Sequence, residues 1–208
     1  MTKNRERLNT YLIPGAFLVL FVGGLGGWFW WSSRQFEHPA DHWIAKANGK
    51  ARTWADDAEL SVIEGYYVRP DGVADLPNPG DSGWRLVFRS EALASGESSP
   101  PAESTIPGAP PSPSTPKYAC FAYTVGRGSA RSRNLVRTNS APVRCPEGLK
   151  QQSSEPPRCS VEEVWRRAEQ RGAPNPGLAT VAASVQGDEW RWSFRIPDHV
   201  EFEILDDC

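Results

Sequence analysis

Chemistry in this 208-residue chain would have to come from few side chains. Histidine occurs three times, as His38, His42 and His199. His38 and His42 stand four apart with Asp41 between them, so on a helix both imidazoles share a face, where they can ligate a metal or a haem iron. Pro39, suited to a helix start, explains the same segment as a plain entry turn. His199 lies beside Asp198 between two strand-like runs, the setting of a turn residue rather than of a catalytic base. Carboxylates come in pairs, Asp56 with Asp57, Glu201 with Glu203 and Asp206 with Asp207, and on strands or helix surfaces such pairs are usually solvated or matched to cations. Arg85, Arg89, Arg191 and Arg195 fall on expected outer sheet faces; they can grip an anionic partner, although neutralisation by neighbouring acids is the simpler role. Gly126-Arg127-Gly128 lacks the strand-to-helix context and the lysine of a phosphate loop. No nucleophile stands with a base, so the expectation is a non-catalytic chain without a cofactor.

Four cysteines, Cys120, Cys145, Cys159 and Cys208, complete the reactive inventory. None of their spacings is C-x-x-C and no histidine is near them in sequence, which argues against zinc; an even count in an oxidising compartment reads as two disulfides.

That compartment follows from residues 11–31, a run without a charged side chain that ends in Trp28-Phe29-Trp30-Trp31. As a helix it would span roughly 30 Å, enough to cross a bilayer once. A cleaved signal peptide fits less well than an uncleaved anchor, because the apolar part is long and Ser32-Ser33-Arg34 is a poor cleavage site. Lys3, Arg5 and Arg7 precede the run and only Arg34 follows closely, so residues 1–10 should stay cytoplasmic and everything after about Ser32 should lie outside, in the periplasm of a bacterium. Gly23 and Gly27 form a small-xxx-small pair that lets another membrane helix approach closely. Residues 1–36 carry four cations against Glu6, a charge of +3, which leaves −5 on the exported part of a chain whose total is −2. That balance argues against nucleic acid as a partner.

Beyond the anchor the expected class is α+β: two α-β-β-β units with antiparallel sheets, over residues 38–150 and 158–208. Residues 38–58 show an apolar stripe of Trp43, Ala47, Ala51, Trp54 and Ala58 at helical steps. Strands are expected at 66–68, 73–76, 84–90 and 118–125, with two short ones at 134–138 and 142–145. Residues 91–117 hold seven prolines in twenty-seven positions, too little apolar surface to offset ordering, and are expected to be a mobile insertion. In the second unit Ser160 and Glu163 form a capping box before a helix ended by Gly172 and Pro174, and strands follow at 178–185, 189–196 and 200–205. A Gly187-Asp188 turn sets Val185, Ala183 and Val181 opposite Trp190, Trp192 and Phe194; a three-residue loop at 197–199 sets Phe202 opposite Phe194 and Glu201 opposite Arg195. This meander brings the helix start and the end of the third strand to one end of the layer, which pairs Cys159 with Cys208 and leaves Cys120 for Cys145.

Trp84-Arg85-Leu86-Val87-Phe88-Arg89 echoes Trp190-Arg191-Trp192-Ser193-Phe194-Arg195, each downstream of a tryptophan-bearing helix, as in an internal repeat. The second copy, through Arg158-Cys159-Ser160-Val161, Val164-Trp165, Arg167-Ala168, Gly172-Ala173-Pro174 and Asp206-Asp207-Cys208, resembles a C-terminal module of exported proteins and lipoproteins of myxobacterial type. Its helix-plus-meander order also looks like small periplasmic cystatin-like or PepSY-like domains; the resemblance implies binding or inhibition and brings no functional residues with it.

The expected function is that of a single-pass inner-membrane protein whose periplasmic part is a binding or scaffolding subunit of an envelope complex, with the membrane and other envelope membrane proteins as partners. The alternative is an accessory subunit of membrane electron transfer or metal handling that uses His38 and His42.

Overall fold

The structure, a computed structural model, describes residues 38–76, 82–96, 118–128, 136–149, 155–187 and 189–208. Among them no helix is long and apolar enough to cross a membrane. The expected tail at 1–10, the expected span at 11–31 with Gly23 and Gly27, and most of the proline-rich insertion, 97–117, lie outside the described residues.

The chain folds in the order α1 (Ala40–Trp54), β1 (Glu59–Val68), β2 (Gly83–Arg89), α2 (Glu91–Ala94), β3 (Cys120–Arg127), β4 (Val136–Val143), α3 (Val161–Gln170), β5 (Ala179–Gln186), β6 (Glu189–Ile196) and β7 (Val200–Leu205). The class is α+β, and the strands form one seven-stranded sheet in the order β4-β3-β2-β1-β5-β6-β7, antiparallel at each pairing. The two expected units therefore share a sheet instead of having one each, the first contributing four strands and the second three. Their first strands, β1 and β5, pair in the middle, and the two W-R-x-x-F-R segments occupy the equivalent strands β2 and β6.

Both long helices lie on the same face. Trp54 of α1 stacks on Phe121, and Trp165 of α3 meets Phe194 edge-on at 4.8 Å. Phe121 is opposite Phe88; two residues from Phe88, Leu86 starts a row that runs through Ile63, Ala183, Trp192 and Ile204, and Trp192 is two residues from Phe194. Since alternate residues share a face and direct partners share a face, all these side chains look toward the helices. Small residues make room for large ones: Ala183 lies opposite Trp192, and Gly65 lies opposite Trp84. A Cβ at Gly65 would come within 2.4 Å of the Trp84 ring.

The three carboxyl-terminal strands follow the sequence closely, including the pairs Val185 with Trp190, Val181 with Phe194, and Arg195 with Glu201. The first half departs further. β1 begins seven residues before the expected start, at Glu59, and carries register shifts on both sides; the expected strand at 73–76 is reduced to isolated bridges at Val73 and Ala74. The two short strands expected near 134–145 are one strand, β4. The first residues of the expected insertion are ordered as α2, because Ser90 caps it and the Asp57 carboxylate accepts from Ser90 Oγ at 2.6 Å and from the Ala92 amide at 2.9 Å.

Cys159 is bonded to Cys208, as the meander suggested, and Cys120 to Cys145, the pairing that this left. Their separations of 25 and 49 residues correspond, by loop-closure entropy, to about 3.5 and about 4 kcal/mol. The first bond draws Cys145 and Leu149 over Val62 and Val87 on the face away from the helices.

Two glycines should respond to alanine with opposite signs. Gly65→Ala should destabilise the fold by about 1–3 kcal/mol through overpacking. Gly49, exposed in α1 with nothing within 4 Å of an added Cβ, should gain about 0.5–1 kcal/mol as alanine. Urea unfolding of the full chain in neutral detergent, followed by tryptophan fluorescence, measures both.

Candidate functional site

The His38 and His42 imidazoles do come together. Their rings stack with centroids 4.0 Å apart and planes at 19°. Packing accounts for this: the Trp43 indole donates to the His38 carbonyl at 3.2 Å and meets the His42 ring edge-on at 5.0 Å. Partial desolvation, with the nearby charges of His38 and Lys46, holds the His42 imidazole below its ordinary value. Among the described residues no group of three His, Cys, Asp or Glu side chains is placed to hold a metal ion, so the pair supplies two donors and no third. His199 is in the turn between β6 and β7, its amide donating to the Ile196 carbonyl.

Asp57, Glu201, Glu203, Asp206 and Asp207 of the carboxylate pairs have structural partners. Asp206 accepts from the amides of Arg158 at 2.7 Å and Cys159 at 2.8 Å, and from the Trp192 indole at 2.9 Å, which fastens the end of β7 to the entry of α3 beside the second disulfide. Asp207 pairs with Arg167 of α3. Arg167 and Arg171 also donate to the carbonyls of Leu205 and Glu203, so α3 caps backbone acceptors of edge strand β7. The four expected outer-face arginines all meet acids: Arg85 with Glu64 and Arg89 with Glu91 at 2.9 Å, Arg191 with Glu203 at 3.8 Å and Arg195 with Glu201 at 3.7 Å.

A different concavity, of about 420 Å³, lies on the face away from the helices, where β1 to β4 run side by side. One cross-strand row is Tyr66, Gly83, Gly126 and Arg137; the next on the same face is Glu64, Arg85, Thr124 and Asn139. Two adjacent glycines leave the backbone bare and make the floor. Gly83 has φ +142°, and a Cβ there would strike the Val125 carbonyl at 1.9 Å, so the floor cannot be built with another residue at that position. Gly126 is unconstrained, its nearest neighbour being the Ser82 carbonyl at 3.6 Å. Arg85, Arg127 and Arg137 line the groove, and among the described residues its lining contains no His, Cys, Asp or Glu. Glu64, just outside, holds Arg85 and accepts from the Tyr66 hydroxyl at 3.3 Å. Arg137 is exposed and has no ion pair among the described residues.

Sequence reasoning considered Gly126-Arg127-Gly128 only as a phosphate loop and missed this groove. Its signal is a glycine on each of two neighbouring strands, and that becomes legible only once their register is known.

No protein-family model, curated protein or solved structure matches the chain.

The stacked pair should be visible in solution. His42 should titrate below the ordinary imidazole value of about 6.5. A lowered folded-state pKa means that the unfolded chain binds the proton first, so this contribution to stability is present above about pH 6.5 and is lost as pH falls through the folded value. Histidine proton chemical shifts followed against pH, with His38→Gln raising the His42 midpoint, check this; an unchanged midpoint would show that the rings do not interact.

Proposed function

We propose that this chain is a single-pass inner-membrane protein of a bacterial envelope, held by residues 11–31 with its N-terminus in the cytoplasm, and that the domain from His38 onward works in the periplasm as a binding or scaffolding subunit. The uncharged run and the cations before it support the anchor and its orientation. The two disulfides support an oxidising compartment. The observation that carries the binding role is the arginine-lined groove over Gly83 and Gly126, which offers cations and hydrogen-bond donors on a bare backbone floor. The Gly23 and Gly27 pair supports a helix partner within the membrane.

The stacking of His38 on His42 favours a second reading, an accessory role in metal handling or electron transfer. One experiment separates the two. Gentle extraction from native membranes and affinity capture should return envelope membrane proteins with the chain, in amounts reduced by the Gly23→Leu, Gly27→Leu double change, and no stoichiometric metal. Recovery of the chain alone would contradict the binding role, and metal that is lost in His42→Ala would favour the second reading.

A further inference from the structure

We propose that the groove over Gly83 and Gly126 binds a phosphate group, clamped by Arg137 and Arg85; this rests on the reading of the domain as a binding module and names the chemistry it receives. The two glycines remove every side chain from the middle of the floor, so a ligand can lie directly on the backbone of β2 and β3. Cationic and polar groups then reach it from separate strands: Arg137 and Asn139 from β4, and Arg85 from β2. The Asn139 side-chain oxygen is occupied by the Ser140 amide at 3.0 Å, which leaves Nδ2 to donate. Ser82, 3% exposed and lining the same groove, has a buried hydroxyl without a partner among the described residues. Donors arriving from several directions suit a tetrahedral oxyanion with many acceptor sites better than a planar carboxylate. About 420 Å³ admits a phosphate with a glycerol- or sugar-sized substituent. Glu64 competes for Arg85, so the site is tuned below its full strength. The groove is open to solvent, and its affinity should therefore fall with added salt.

Such a phosphate can belong to a soluble phosphomonoester or to a lipid headgroup, and two probes distinguish the sources. The full chain in neutral maltoside detergent is titrated calorimetrically with glycerol 3-phosphate and with dihexanoylphosphatidylglycerol at millimolar concentration. Binding of either is expected, the tighter probe identifying the source. Arg137→Ala should weaken it by about tenfold, the typical effect of losing one charge-assisted hydrogen-bonding group. Gly126→Leu should abolish it by filling the floor, Glu64→Gln should tighten it, and Arg191→Ala, on the other half of the sheet, should leave it unchanged. Each variant should keep both disulfides and the unfolding midpoint. No binding of either probe, or equal binding by wild type, Arg137→Ala and Gly126→Leu, would overturn the proposal. That result with partner capture intact would remove the phosphate and leave the binding module; capture lost while phosphate still binds would do the reverse.

Discussion

The antiparallel pairing of β1 with β5 is the contact on which the rest of the domain depends. Each strand is the first of its own run, and each has a strand of its own run on one side and the other run on the other. Joined through Val62 with Ser184, Ile63 with Ala183 and Gly65 with Val181, they become the centre of a seven-stranded sheet on which both helices bury their apolar stripes. The pairing also removes two strand edges that would otherwise expose unmatched amides and carbonyls. What remains is one edge at β7, capped in part by arginines from α3, and one at β4, polar and exposed along most of its length.

Size complementarity holds that centre in register. Gly65 accommodates Trp84 on one side, Ala183 accommodates Trp192 on the other, and Ile63 between them is fully buried. The peripheral strands are fastened by other means. Cys120 to Cys145 ties the end of β4 back over the outer face, while Cys159 to Cys208 and the Asp206 carboxylate tie β7 to the start of α3. Hydrophobic packing thus dominates in the middle of the sheet, and covalent and polar bonds secure its ends, where little apolar surface is available.

The sequence made the second half legible almost completely, because its hairpins are short and the turn lengths alone fix which residues face each other. Val185 opposite Trp190 and Glu201 opposite Arg195 could be read without coordinates. The first half resisted for a physical reason. β1 is bonded on both sides and its register shifts on each, so its apolar residues do not alternate, and the buried Ser61 near its start looks like a loop residue. No turn connects β1 to β5, so nothing local announces that the two runs share a sheet. The groove was hidden for the same reason: Gly83 and Gly126 are forty-three positions apart and become neighbours only through the register of β2 with β3. Arg137 fell within an expected strand, 134–138, but nothing in the sequence said which strand it pairs with, so its place opposite Gly126 was not legible.

The candidate site is thus a by-product of the shared sheet. The floor lies on β2 and β3, and β1 beside them is held from its other side by β5. Native-state hydrogen exchange of the full chain in neutral detergent, read at the amides of Ile63, Gly65, Val181 and Ala183, tests that dependence most directly. These four amides should be the slowest to exchange and should open together, with the free energy of global unfolding. Exchange of Val181 and Ala183 at a separate, lower free energy, with β1 still protected, would show two independent units and contradict it.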